Sequence, residues 1–155
     1  MYKVVLNRCY GGFGLSPKAE KLYWERKLGK KVFAYKQDYE NKVFIKTEDL
    51  DHVRSFSISF VTEDYGDVVA DYLPTNEELY YRNIPRHDPI LVDIVEELKE
   101  KANGECSKLD VVEIATPMYR IEDYDGMESI HTPEDNDWVI IETKELPAPE
   151  PNKEI

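Results

Sequence analysis

The chain has little of what builds disulfide frameworks, metal centres or membrane spans. Only two of its 155 residues are cysteine, Cys9 and Cys106, and only three are histidine. A small secreted scaffold usually relies on several cysteine pairs, so two thiols point to a reducing, cytosol-like compartment and a cytoplasmic location. His52, His87 and His131 stand apart in the sequence and fit no zinc spacing, so neither a metal nor a cofactor is expected. No run reaches the ~18 apolar residues of a membrane helix, and the opening MYKVVLNRCY has no long apolar stretch of the signal-peptide kind. Positive charge is scarce as well. Twenty Lys and Arg face 32 Asp and Glu, for a net charge of −12 and a pI near 4.7. That balance counts against a nucleic-acid footprint and against docking on an anionic membrane. It leaves a small molecule, another protein or a second copy of the chain as partners. Neither the G-x-S-x-G elbow nor the H-E-x-x-H metalloprotease motif occurs.

What is present reads as strands and two helices. Lys3 to Asn7 is a short apolar strand. Ser16-Pro17 starts a helix, with serine as cap and proline at the first turn. Ala19, Leu22, Tyr23 and Arg26 share one face, and Gly29 stops it. KVFAYKQDYENKVFIKT alternates in two runs around residues 38–41, a hairpin pattern. HVRSFSISFV alternates Arg54, Phe56, Ile58 and Phe60 against small polar residues, as a half-buried strand does. DVVADYL reads as its hairpin partner, and residues 76–81 as a short helix. The second helix is capped by Asp88 and opened by Pro89. It carries a stripe of Ile90, Leu91, Ile94, Val95 and Leu98, with Val92 toward the wetter face, and is stopped at Asn103-Gly104. Leu109 to Ile114, Met118 to Tyr124 and 137–143 are further strand candidates, the second turning at Asp125-Gly126. The fold class is therefore α+β, a mostly antiparallel sheet with two main helices packed on one face. Residues 1–146 form one domain, and the proline-rich, charged residues 147–155 form a disordered tail.

The chemistry concentrates in two places. The first is the loop between the first strand and first helix, where Gly11, Gly12 and Gly14 are flanked by Arg8, Cys9, Tyr10, Phe13 and Ser16. Glycine amides before a helix N-terminus suit a phosphate, with Lys18 and Lys21 nearby. The P-loop pattern is absent, and Pro17 stands where the last glycine of a dinucleotide motif belongs. Asp38 falls near the place of a ribose-binding acid, but a hairpin follows instead of a second crossover. The same glycines equally permit a tight turn with Tyr10, Phe13 and Leu15 plugging the core. The second place is RIEDYDGMESIH, with Tyr124, Asp125 and Glu128. With Gly126 as the sixth position of a calcium loop, Ile121 and Thr132 occupy the end positions and neither offers a carboxylate, which excludes an EF-hand. The segment is either a solvated hairpin turn or a carboxylate pair able to hold a donor-rich ligand. EDYGD at Glu63 echoes EDYDG at Glu122, which reads as shared turn chemistry. Cys9, beside Arg8 and a helix start, is either a nucleophile, with His87 the histidine to name as base though nothing in the sequence brings the two together, or a buried, inert thiol.

Three phrases, NRCYGGFGLS (Asn7 to Ser16), RHDPILVDIVEELKEKANGECSKLDVVEI (Arg86 to Ile114) and YRIEDYDGMES (Tyr119 to Ser129), together resemble an uncharacterised family of small proteins of phages and other large DNA viruses. Residues 31–85 fall outside the resemblance and read as an inserted strand region. The likeness implies a viral accessory protein in the host cytosol and transfers no catalytic residue. Together with the loop, it implies a binder of a small phosphate-bearing or nucleotide-like ligand, such as a host-defence signal held out of reach. The expected contacts are Arg8, Cys9, Tyr10, Gly11, Gly12, Phe13, Gly14, Ser16, Tyr124, Asp125 and Glu128. Two other classes stand beside it. One is an acidic protein that occupies and inhibits a host protein. The other is an enzyme using Cys9 or the Asp125 and Glu128 carboxylates.

Overall fold

The computed structural model describes residues 1–51, 53–75, 79–135, 138, 139 and 141. The fold is α+β, and every strand pair in it is antiparallel. Strand β1 (Tyr2–Asn7) pairs with β6 (Leu109–Ile114), with Val4 opposite Val112 and Asn7 opposite Leu109. Val4, Val5, Leu6 and Asn7 are all buried, so both faces of this ribbon are covered. Alternation explains how. Val5 and Val111 face the helices α1 (Pro17–Leu28) and α2 (Pro89–Leu98). Val4, Leu6 and Ile114 face Ile121 and Ile130, which belong to the hairpin of β7 (Arg120–Tyr124) and β8 (Met127–His131).

Local chemistry sets the helices. The Ser16 hydroxyl accepts from the Ala19 N–H at 3.2 Å, and Gly29 closes α1 through its N–H to the Glu25 carbonyl. Asp88 accepts from the Ile90 N–H and the Tyr23 hydroxyl, each at 2.8 Å, and from Lys27 at 3.2 Å, tying the cap of α2 to α1. Burial alone would raise the Asp88 carboxyl, but these donors outweigh it and hold it below its usual range. Ala19, Tyr23 and Trp24 of α1 pack with Leu91, Ile94 and Val95 of α2. Truncating Leu91 or Ile94, each fully buried, to Ala would cost about 2–5 kcal/mol.

The segment read as an insertion forms a separate four-stranded sheet, β4-β2-β3-β5. Its strands are β2 (Phe33–Asp38), β3 (Val43–Thr47), β4 (Ile58–Val61) and β5 (Val68–Ala70). Ala34 of β2 and Phe60 of β4 join the helical core, while Tyr35 packs on the opposite face with Val61 and Leu73. The Tyr35 hydroxyl, fully buried, donates to the Gly66 carbonyl and accepts from the Tyr65 N–H.

Several sequence expectations are corrected. The strand in HVRSFSISFV is only four residues long; a 3₁₀ turn (Ser55–Ser57) precedes it and leaves Phe56 67% exposed. DVVADYL does not pair with it, because β5 pairs with β3 and β4 pairs with β2. Val92 is buried, and α2 ends at Leu98, passing through Lys99 at φ 54° into a 3₁₀ turn (Lys99–Ala102) rather than running to Asn103. The helix expected over 76–81 falls partly outside the described residues, and a 3₁₀ turn (Tyr81–Asn83) follows. The strand expected over 137–143 and the tail 147–155 lie essentially outside them. Asp38 turns its carboxylate onto Glu40 and Asn41 of its own hairpin turn. In both EDY segments an aspartate accepts from a glycine N–H, but at different spacing: Asp64 from Gly66, two residues on, at 2.8 Å, and Asp123 from Gly126, three residues on, at 2.7 Å.

Candidate functional site

The glycine loop and the acidic hairpin meet. Asp125 and Gly126 both have positive φ, 51° and 89°, in a two-residue turn that joins Tyr124 to Met127, the geometry that matches hairpin twist. The turn presses its backbone onto the loop. A Cβ at Gly126 would overlap the Gly12 amide and stand 2.6 Å from the Gly11 nitrogen, so only glycine fits there. The Gly11 N–H donates to the Asp125 carbonyl, and Tyr10 meets Tyr124 edge to face at 6.5 Å.

Behind this contact lies an ion pair between buried Glu128 and part-buried Arg86. Glu128 is 4% exposed and accepts from Arg86 through both oxygens, at 2.6 and 2.8 Å. It also takes the Asn7 N–H at 2.7 Å, while the Asn7 amide donates to the Gly126 and Cys9 carbonyls. Arg86 lays its guanidinium 3.5 Å from the centre of the Phe13 ring and reaches the Val5 carbonyl. One planar cation thus joins β1, the loop and the hairpin, using its edge for the carboxylate and its face for the ring. Arg8 donates to the Glu128 carbonyl at 2.7 Å, and the Cys9 thiol lies 3.3 Å from the Cys106 carbonyl and from Asn7 Oδ1. Ser16 caps α1 and donates to the Lys101 carbonyl.

On the other side the loop is open. A cleft of ≈ 530 Å³ runs from Gly11 to Leu15, walled by Phe56, Phe60, Leu79, Tyr80 and Tyr81, within the ~300–1,000 Å³ of ordinary ligand pockets. A second depression of ≈ 370 Å³ shares Gly11, Gly12, Phe13 and Tyr81 with it and adds Arg82, Arg86, Asp123 and Glu128. Gly12 and Gly14 have open space where a side chain would stand. Glu20, from the first turn of α1, lines the cleft. Burial pushes its carboxyl up to about 7; the Tyr81 backbone N–H and the Trp24 indole moderate the rise. The indole contact is loose, because Trp24 Nε1 is buried without a hydrogen bond of good geometry.

The residues singled out in the sequence therefore divide. Arg8, Cys9, Gly11, Ser16 and Glu128 are spent on backbone and side-chain partners. Tyr10, Tyr124 and Asp125 stand on the exposed outer edge. Gly12, Phe13 and Gly14 border open volume. His87 pairs with the Tyr119 hydroxyl at 2.6 Å, and Glu128 turns inward while Asp125 faces solvent. Sequence reasoning missed Arg86, Glu20, Tyr80, Tyr81, Arg82 and Phe56. Only topology brings these residues to the loop, and no spacing announces it. Among the described residues, no three His, Cys, Asp or Glu side chains gather as a metal site, and no helix is long and apolar enough to cross a membrane. Compared with family models, curated proteins and solved structures, the chain matches none. The site is accordingly read from its own geometry.

Proposed function

We propose that this protein binds a small phosphate-bearing, nucleotide-like ligand across the open side of the glycine loop. One observation carries the reading: two depressions share Gly11, Gly12, Phe13 and Tyr81 in their walls, one lined by rings and the other by Arg82. A planar ring of the ligand enters the first, where aromatic faces stack on it. Its phosphate lies over Gly12 toward Arg82, which has no carboxylate partner among the described residues. Asp123 and the Arg86–Glu128 pair on the same rim leave little net positive charge, which favours a monophosphate or diester over a triphosphate. The viral resemblance supplies the setting, sequestration of such a molecule in the host cytosol. Calorimetric titration with nucleoside monophosphates tests it. Micromolar binding that Arg82→Ala weakens about ten-fold, a loss of one charged hydrogen bond, is the expected result. No binding of any monophosphate sinks the reading.

A second reading is favoured by the outer edge. Tyr10 and Tyr124 are 63% and 77% exposed and stand beside Glu122, Asp123 and Asp125. Aromatic anchors within an acidic field suit a basic face of a host protein. Its mark is an affinity that falls steeply with salt and with Tyr124→Ala. A complex indifferent to both excludes it.

A further inference from the structure

The only two cysteines of the chain, 97 residues apart in sequence, meet at one end of the β1–β6 ribbon. The pairing runs one step beyond Asn7 and Leu109, because the Arg8 N–H donates to the Lys108 carbonyl at 2.8 Å. Cys9 comes next on one side, and Ser107 and Cys106 on the other. The Cys9 thiol donates to the Cys106 carbonyl at 3.3 Å. A carbonyl oxygen lies about 2.4 Å from its own Cα, so the Cys9 sulfur stands within about 6 Å of the Cys106 Cα. The Cys106 Cβ adjoins the same stretch of loop, since a Cβ at Gly11 would stand 3.0 Å from it. The two thiols differ in access: Cys106 is exposed and Cys9 half-buried. An open thiol with a second one close behind it is the arrangement of a peroxide-sensitive pair.

We propose that Cys9 and Cys106 close reversibly to a disulfide when the protein meets hydrogen peroxide. Cys106 reacts first. Its thiolate attacks one peroxide oxygen, the S–O bond forms, the O–O bond breaks, and the departing hydroxide takes up the thiol proton as water. The Cys9 thiolate then attacks the sulfenic sulfur. The S–S bond forms and hydroxide leaves, taking the Cys9 proton as a second water. Rotation of both side chains and a small shift of the Gly104–Ser107 turn bring the sulfurs together. Cys106 lines the ring-walled cleft, so the bond fastens a wall of that cleft to the start of the glycine loop. An exposed disulfide is open to thiol reductants, which makes the bond a switch rather than a staple. The pair works in this way whatever the cleft binds.

The test treats the folded full chain with equimolar hydrogen peroxide in the presence of dimedone, which traps sulfenic acids, and maps the products by mass. The parent is expected to stay monomeric, to lose two hydrogens, to give a linked Cys9–Cys106 peptide and to recover with dithiothreitol. Cys9→Ser strands the sulfenic acid, so dimedone labelling of Cys106 should rise at least about ten-fold over the parent, the loss of a thiol held in place to attack. Cys9→Ala, run beside it, should do the same, and Cys106→Ser should leave Cys9 largely as thiol. Equal dimedone labelling of Cys106 in the parent and in both Cys9 variants overturns the proposal. So does a link between two chains in place of one within a chain, and so do thiols that alkylate as freely after peroxide as before. Melting curves show that each variant is folded.

Discussion

The two sides of the glycine loop contrast sharply. On the hairpin side the inner groups are partnered: the Gly11 amide, the Asn7 amide and both Glu128 oxygens are hydrogen-bonded, and the Gly126 backbone is pressed onto Gly11 and Gly12. On the cleft side Gly12 and Gly14 look into open volume beside half-exposed rings. The same three glycines thus serve two purposes, a close approach of backbones at Gly11 and free access at Gly12 and Gly14. A structural turn has no need of the second, and this asymmetry is what makes the open side a candidate for binding.

The contrast is broken most severely at the ion pair. Glu128→Ala would leave the buried Asn7 N–H without an acceptor and the part-buried Arg86 guanidinium without its carboxylate, at a cost of about 2–3 kcal/mol. Urea unfolding checks it. A replacement of both partners, Arg86→Met with Glu128→Leu, should cost clearly less than Glu128→Ala. If the single variant is as stable as the parent, the sealed side does not hold the loop.

The open side has its own signature in pH. Glu20 titrates at about 7 in the folded protein against an ordinary 4.5, so the native state binds the proton more tightly than the unfolded chain. Its stabilising contribution is complete below about pH 4.5, declines as pH rises toward 7, and is level beyond. The span is worth up to about 3 kcal/mol. Glu20→Gln should flatten that part of the stability profile and raise stability at pH 8. An unaltered profile in Glu20→Gln would place the carboxyl in water rather than in the cleft.

Gly126→Ala tests the close approach itself. A left-handed residue costs about 1–2 kcal/mol, and the added methyl would also overlap the Gly12 amide. About 2 kcal/mol or more of lost stability is expected, with chemical-shift changes reaching Gly11 and Gly12.

Much of the frame was legible in the sequence because it is written in local rules. Ser16-Pro17, Asp88-Pro89, Asp125-Gly126 and the alternation of Phe33 to Thr47 each carry their own turn or cap chemistry, and each holds. The pairing of β5 with β3 was not legible, since alternation names a strand's faces but not its neighbour. Phe56 misled because an apolar residue at an alternating position reads as buried, whereas the 3₁₀ turn at Ser55–Ser57 rotates it out. The loop and hairpin were recognised separately, but their meeting depends on Arg86 and Asn7, 79 residues apart in sequence. The cleft depends on Glu20, Tyr80 and Tyr81, which come together only in the fold.

The smallest effect on stability should come from Gly14→Leu, and it separates the two sides most cleanly. Gly14 has an ordinary backbone conformation, and a Cβ there meets no atom within 4 Å. Its carbonyl, which accepts from the Gly104 N–H and the Ser107 hydroxyl, is untouched by the substitution. Stability should therefore move by no more than about 0.5 kcal/mol, as at an open surface position. The leucine side chain, however, would occupy the mouth of the cleft and compete with the ligand ring for Phe13 and Tyr81. Monophosphate binding should fall by about ten-fold or more while the melting curve stays with that of the parent, one blocked ring being worth ~1–3 kcal/mol of stacking. A chain that loses stability as Gly126→Ala does, with binding intact, would make Gly14 part of the sealed side and move the ligand away from the loop.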